Sequence, residues 1–576
     1  MRIGRNWLKI SPVKIASYSS VILNSICIVL GITYISNPTY SILWDIFGTI
    51  LLMTLFENLV LIFINSIKNN EKKIFRTKMN FFSYFYLIFI IFAMVSMMLG
   101  NLLISVTYSN QLIDNLGAYT LIYVFYFGVL TIGISYAIYG IKIYNNSSLK
   151  SQIQDFEVRS SRRFLKIKKI SKKIAIIFSR TTFIIGIIFG IVIIFGSFEV
   201  VTTLLAIVSG QFGIFFSIIF LANTILLLKL KHRNWNSKKF YRTTIMGILV
   251  SGLLLGPLFL TQYTINDIER SFSSTFGPNW RDKIPPDVNN YFLQTPFSLS
   301  SYFLGIPPKD CIVESNTLFY NDEGIQLYYD AYMPLNKAEG LPGENSTIIR
   351  IHGGGWVSGD KGMMNMMQMN KYFAAQGYIV FDIQYGIAEN PLFSLDPLTP
   401  NYKKGDFSID DMMRHIGIFT NYLANNTEKY GANLNSVFVS GGSAGGHLTC
   451  AVALAIASGL YSDIFNGNIT IKGLIPFYPA NGQMGFFGVT GRDEFKNPEL
   501  LIENDSPPCL IFQGTHDILN YFSISRNIQD TYYAKGNENC AILWMPFGGH
   551  ASDVYFTGYY NQIFLYYMER FMYLYH

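Results

Sequence analysis

The run Ser440-Gly441-Gly442-Ser443-Ala444-Gly445-Gly446 sets a serine among small residues at Gly-x-Ser-x-Gly spacing. A serine hydroxyl is a weak nucleophile until a base takes its proton, so the chemistry suggested is acyl transfer through a covalent intermediate. The β-rich stretch Ser436–Ser440 leads in and the small-residue stretch Ala444–Gly459 leads out. That order predicts a strand, a sharp turn and a helix, with the Ser443 hydroxyl exposed above a sheet. The alternative is a glycine-rich turn with an idle serine; the strand before it and the helix after it favour the nucleophile.

A tetrahedral intermediate needs preorganised donors for its oxyanion. Candidates stand in His352-Gly353-Gly354-Gly355-Trp356, at the end of an earlier predicted strand. Glycines there bring backbone N–H groups close to the developing charge, and the Ala444 N–H completes the hole. An HGGG run upstream of GxSAGG resembles the hormone-sensitive-lipase-like esterases of the α/β-hydrolase superfamily. Feruloyl and acetyl-xylan esterases share both motifs. The resemblance covers about residues 310–576. It implies a carboxylic-ester hydrolase that works without cofactor or metal, with oxyanion donors at Gly354, Gly355 and Ala444 and a structural role for His352. One departure shows. Where the family often has Tyr-Arg-Leu-Ala-Pro-Glu, this chain has Tyr385-Gly386-Ile387-Ala388-Glu389, without the Arg and the Pro.

In this fold the triad runs Ser, acid, His along the chain. Well downstream of Ser443 stand His516, His550 and His576, and His576 is the last residue of the sequence. The strand Cys509–Gln513 is followed by Gly514-Thr515-His516-Asp517, and the strand Ala541–Met545 by Pro546-Phe547-Gly548-Gly549-His550. The reading is therefore Ser443 as nucleophile, His550 as base and Asp517 as the acid that orients it. His516 as base would leave no clear acid after it. Asp505 and Asp553 are alternative acids less well placed after a strand, and His447 is read as packing.

These residues need a scaffold. Gly324–Tyr332, Thr347–His352, Tyr378–Tyr385, Ser436–Ser440, Ile471–Phe477, Cys509–Gln513 and Ala541–Met545 read as strands, most of them separated by helical stretches such as Ile409–Asn425. Strands alternating with helices predict an α/β domain with a doubly wound, mostly parallel sheet. Residues 266–309, rich in Ser, Asn, Pro and aromatics, are expected to be a linker or a cap. A chain beginning near Ile265 is expected to fold and cleave soluble esters by itself.

The first 265 residues are different. They hold 26 Lys+Arg against 7 Asp+Glu, a net of +19, whereas the remainder nets −12. The overall +7 is a sum of unlike halves and gives no reason to expect nucleic acid. Seven apolar runs are long enough to cross a bilayer, which takes about 20 residues: Ile15–Ser36, Ile42–Ile67, Phe81–Tyr108, Ala118–Tyr139, Ile174–Ser197, Val201–Leu228 and Ile245–Ile265. A helical transmembrane bundle of about seven spans is expected. Basic residues fill alternate connections: Arg2, Arg5, Lys9 and Lys14; Lys68, Lys72, Lys73, Arg76 and Lys78; Arg159 through Lys173; and Lys229 through Arg242. The intervening loops Asn37–Ser41, Ser109–Gly117 and Phe198–Val200 contain no Lys or Arg. The positive-inside rule then puts the N-terminus in the cytoplasm and the catalytic domain outside the cell membrane. Glu57, in the middle of the second run, is either a structural carboxyl or an ion or substrate site.

Of five cysteines, Cys27 falls in a span and Cys311, Cys450, Cys509 and Cys540 in the outer half. An external location permits disulfides, but Cys450 and Cys509 sit where buried free thiols are commoner. No Cys/His cluster has metal spacing, and no Gly-Lys-Ser/Thr phosphate loop occurs. The expected partners are the lipid bilayer and an ester: an acylated lipid, an acetylated glycan or a small diffusible ester. Rival readings are an acyltransferase, a serine peptidase, or a transporter or receptor with a non-catalytic hydrolase-like domain. The complete set of nucleophile, acid, base and oxyanion elements argues against the last.

Overall fold

The computed structural model describes residues 12–38, 41–68, 76–109, 111, 113–145, 162–196, 199–231, 237–322, 324–336, 338–391, 396–397 and 399–576. Of the basic topology markers, Arg2, Arg5, Lys9, Lys72, Lys73, Arg159 and Arg233 lie outside the described residues.

The apolar half is helical: α1 (Pro12–Ser36), α2 (Ile42–Lys68), α3 (Arg76–Ser105), α4 (Leu116–Asn145), α5 (Arg162–Phe195), α6 (Val200–Gln211), α7 (Gly213–Lys231) and α8 (Lys238–Leu254). Six of these, α1 to α5 and α7, are long and apolar enough to cross a membrane. The expected run Val201–Leu228 is broken at Phe212 into α6 and α7. The expected run Ile245–Ile265 begins inside the 17-residue α8, which stops before Gly256-Pro257. Proline cannot donate to a continuing helical ladder.

Inside the bundle, neutral polar groups tie helices together. Asn58 of α2 accepts from Ser20 Oγ (2.8 Å) and Asn24 Nδ2 (3.0 Å) of α1, and donates to Asn24 Oδ1 and to Tyr86 OH of α3 (3.0 Å each). In a bilayer, which would offer no hydrophobic drive between helices, packing and such bonds would hold them.

The other half is built on an eight-stranded sheet: β1 (Ile312–Asp322), β2 (Ile325–Met333), β3 (Ser346–Ile351), β4 (Ile379–Ile383), β5 (Asn433–Gly442), β6 (Ile471–Phe477), β7 (Cys509–Gly514) and β8 (Cys540–Met545). Its order is β1-β2-β4-β3-β5-β6-β7-β8. The β1–β2 and β2–β4 pairings are antiparallel and the rest parallel. All seven expected strands are present, and β1 is an eighth, at the edge. Helices cover both faces. α12 (Ile409–Ala424) and α13 (Ala444–Ser458) bury apolar side chains in one core, and α9 (Thr261–Phe276), α11 (Met367–Ala374) and α14 (Tyr559–Tyr575) in the other.

Parallel register brings the C-terminal strand ends to one edge, where ligands bind in such sheets. Ile351 pairs with Gly441, so the His352–Gly355 loop leaves β3 beside the Ser443 turn. Met545 pairs with Gly514, so the loops carrying His550 and Asp517 leave side by side.

Residues 266–309 join the halves. α9 lies on β8, with Ser271 Oγ donating to Ile542 O (3.0 Å). α10 (Leu299–Leu304) packs on α2 and α3, and the Phe303 carbonyl accepts from Asn101 (3.2 Å). Nearby, Tyr34 OH donates to Gly305 O (2.9 Å) and Tyr108 OH to Asp330 Oδ2 (2.9 Å). These contacts come from helix ends next to the loops without Lys or Arg. At the far end, Lys229 of α7 donates to Ser66 Oγ of α2 (2.7 Å). The sheet thus sits opposite the basic ends of the bundle.

Candidate active site

Ser443 lies between β5 and α13 with φ +59° and ψ −121°. A serine held there is strained, so its surroundings must over-determine it. The local glycines show how. A Cβ on Gly441 would fall 2.3 Å from the Ile351 carbonyl, and one on Gly445 2.2 Å from the same oxygen. Only glycine lets β3 and the start of α13 approach this closely. The Ser443 N–H donates to Phe477 O (3.0 Å), which fastens the turn to the end of β6.

His550 reaches the turn from the loop after β8. Its Nε2 is 3.1 Å from Ser443 Oγ and its Nδ1 is 2.9 Å from Asp517 Oδ2. Asp517 Oδ1 accepts the N–H groups of Leu519 and Asn520 at 3.0 Å each, which fixes the carboxylate and leaves Oδ2 for the imidazole. Asp517 is 4% and His550 8% exposed, so both are shielded while Ser443 remains half-buried. The C-terminal region has the α/β-hydrolase fold.

A family model described as BD-FAE matches residues 329–480. Esterase LipC of Mycobacterium tuberculosis is 21% identical over 266 residues, 42% of this chain and 60% of that protein. The chain thus spans less than two thirds of the length of this curated relative. Among solved structures, esterase B from Lactobacillus rhamnosis is 21% identical, covering 43% of this chain and 81% of that one, with a TM-score of 0.35. Thermogutta terrifontis esterase 2 is 20% identical, covering 46% and 91%, with a TM-score of 0.34.

In this C-terminal region, the loop after β3 packs tightly on the serine turn. A Cβ on Gly353 would stand 2.7 Å from Gly442 O. Gly354, Gly355 and Trp356 follow with φ of +115°, +63° and +62°. The Gly354 carbonyl is engaged by the Ser358 N–H (2.9 Å) and hydroxyl (3.0 Å), which holds the loop curled. Ala444 is the first residue of α13, so its N–H has no acceptor within its own helix.

His352 supports this loop from beneath. Its Nδ1 is 2.8 Å from Gly353 O and its Nε2 3.0 Å from Lys403 Nζ. One neutral tautomer satisfies both, with Nδ1–H donating and Nε2 accepting. Burial and the Lys403 ammonium push the His352 pKa down to about 3, and burial lowers Lys403 to about 8. The ring stacks on Tyr385 at 4.5 Å.

The other sequence candidates stand elsewhere. His447 accepts from Trp356 Nε1 at Nδ1 (3.2 Å) and faces Phe495 O with Nε2 (2.7 Å); burial lowers its pKa to about 4. His516 stacks on Phe547 and contacts Thr515 Oγ1 (3.1 Å). Asp505 is on an exposed turn. Asp553 is buried and accepts from Tyr478 OH (2.7 Å), with its pKa raised by burial. His576 approaches Glu344 (3.8 Å).

Two residues near the site escape sequence reasoning. Tyr478, just after β6, sets its ring edge-on against His550 at 4.7 Å. Phe487 faces Gly355, where a Cβ would meet its ring at 3.1 Å. Tyr478 had a signal in its place at a strand's C-terminal end. Phe487 had none.

Proposed function

We propose that this chain is a membrane-embedded serine hydrolase that cleaves carboxylic esters through an acyl-enzyme. Ser443 Oγ attacks the ester carbonyl while His550 Nε2 takes its proton. Asp517 holds the imidazole by Nδ1 and stabilises its cation. The N–H groups of Gly354, Gly355 and Ala444 receive the oxyanion, and His550 returns its proton to the leaving alcohol. Water then attacks the acyl-Ser443 carbonyl by the same route. The observation that carries the reading is His550, which bridges Asp517 at 2.9 Å and Ser443 at 3.1 Å. The esterase relatives add support.

Residues 1–265 serve as the membrane region, 266–309 as the connection and 310–576 as the catalytic domain. The N-terminus faces the cytoplasm and the hydrolase the opposite side, because the sheet lies opposite the basic connections. The substrate is an ester met at the outer membrane–water boundary. Labelling of the purified protein by a fluorophosphonate probe, with turnover of p-nitrophenyl esters, tests the reading. Absence of both would refute it.

A further inference from the structure

The loops that carry the acid and the base end on the membrane half. His516, one residue before Asp517, meets the end of α5, where a Cβ on Gly196 would lie 2.9 Å from its Cδ2. Gly549, one residue before His550, sits against α6: a Cβ there would be 3.0 Å from Ala206 Cβ and 3.3 Å from the Ala206 carbonyl. A Cβ on Gly210 of α6 would lie 3.1 Å from the Phe547 carbonyl. Beyond the loop, the Tyr555 N–H donates to Gln211 Oε1 (3.1 Å), while Gln211 Nε2 is fixed on Ile207 O (2.7 Å). The two loops are also laced together, His516 N–H to Gly548 O (2.8 Å) and Phe547 N–H to Thr515 Oγ1 (3.0 Å). α6 itself has 12 residues, too few to span a bilayer. An element that only anchored would not need to fit beneath the catalytic loops.

We propose that α6 is a positioning element of the active site, setting the reach of His550 to Ser443 through the Ala206–Gly549 contact. This rests on the reading of His550 as the base. Ala206 is 3% exposed, so bulk added at position 206 presses on the loop that ends in His550. The hydrolase half then depends on the membrane half for its catalytic geometry, contrary to the expectation that a chain starting near Ile265 suffices.

The test uses the full-length protein in detergent, with kcat and KM for p-nitrophenyl butyrate and a melting curve for each variant. A misplacement of about 1 Å costs about 10²-fold in rate, so Ala206→Leu should lower kcat by roughly 10- to 100-fold and leave KM within about twofold. Gln211→Leu, which removes the acceptor of the Tyr555 N–H, should lower kcat in the same way but less. Thr131→Leu, on the exposed side of α4, should change neither constant. Wild-type kcat in a normally melting Ala206→Leu protein would overturn the proposal. If that variant does not fold, wild-type kcat in a folded Gln211→Leu protein would do so. A wild type that neither turns over esters nor takes up fluorophosphonate would instead overturn the reading of the site.

Discussion

The two halves of the molecule bury polar groups in opposite ways. In the bundle, Ser20, Asn24, Asn58 and Tyr86 are buried, neutral and bonded mainly to one another. In the hydrolase, the buried polar groups include full charges. Arg350 of β3 donates to Ser440 Oγ (2.8 Å) and Asn365 O (2.9 Å), Lys361 pairs with Asp330 (2.6 Å), and Arg570 pairs with Glu569 (2.9 Å). An ion within a bilayer is costly, whereas one behind a sheet can be matched by partners from several loops. In the bundle interior these groups serve helix association, while Tyr34, Asn101, Tyr108 and Gln211 bond to the other half. In the C-terminal half they tie strands, loops and the last helix together, and the candidate site stands at the strand ends.

The contrast is broken most directly at Ser443. Ser443→Ala should lower ester turnover by about 10⁴-fold or more, since removing a triad nucleophile has effects of this order. Asp505→Asn, on the exposed turn, should retain wild-type rates. If Ser443→Ala kept a substantial share of the activity, the nucleophile would lie elsewhere.

Next in size is Lys361→Met. Lys361 and Asp330 are 3% and 0% exposed, and Tyr108 from the membrane side shares the Asp330 carboxylate. Removing one partner of a buried pair leaves an unmatched charge and costs about 3–5 kcal/mol. Denaturant unfolding of the purified protein should show it. A loss under about 1 kcal/mol would mean that the pair behaves like an exposed one.

A smaller effect depends on pH. Burial holds His447 neutral, with its pKa near 4 against the usual 6.5. Below pH 6.5 the unfolded chain takes up a proton that the folded one refuses, so this contribution to stability shrinks as pH falls toward 4. Glu569 and Asp382, raised by burial to about 7 and about 6, act oppositely: the folded state takes their protons first, and their contribution is lost as pH rises through those values. His447→Gln retains an acceptor for Trp356 and a donor for Phe495 without the titration. Between pH 6.5 and 4.5 the wild type should lose about 2 kcal/mol more than this variant. Parallel pH–stability curves would show that His447 does not resist protonation.

Much of the hydrolase was legible in the sequence. Its central strands are continuous apolar runs because helices cover both faces, and seven of the eight could be read. β1 could not: it is an edge strand, largely exposed and irregular in register, with the polar sequence IVESNTLFYND. Ser443, Asp517 and His550 could be singled out as candidates because glycine turns and strand ends mark their positions. The placing of α6 could not. Hydropathy joins Val201–Leu228 into one run, and the break at Phe212 takes its meaning from Tyr555 and Gly549, more than 330 residues away in sequence. Tyr478 stood at a readable strand end, but its contact with His550 is made by tertiary structure.

The smallest predicted effect probes the bundle interior. Asn58→Ala removes an amide that accepts from Ser20 and Asn24 and donates to Asn24 and Tyr86. Asn24 Nδ2 keeps a bond to the Ser20 carbonyl at 2.6 Å, so it is not wholly orphaned. Polar contacts between membrane helices contribute less than their desolvation suggests, about 0.6 and at most about 1.7 kcal/mol in measured cases. A loss of about 1 kcal/mol is expected, read from denaturant or thermal unfolding in detergent. The kcat on a soluble ester should not change, because this network ties α1, α2 and α3 and touches neither α6 nor the loops that hold Asp517 and His550. If kcat fell with stability, the bundle interior would be coupled to the site, and α6 would not be the route by which the first half reaches it. If stability fell and kcat held, influence of the membrane half on catalysis would be confined to the elements that touch the catalytic loops.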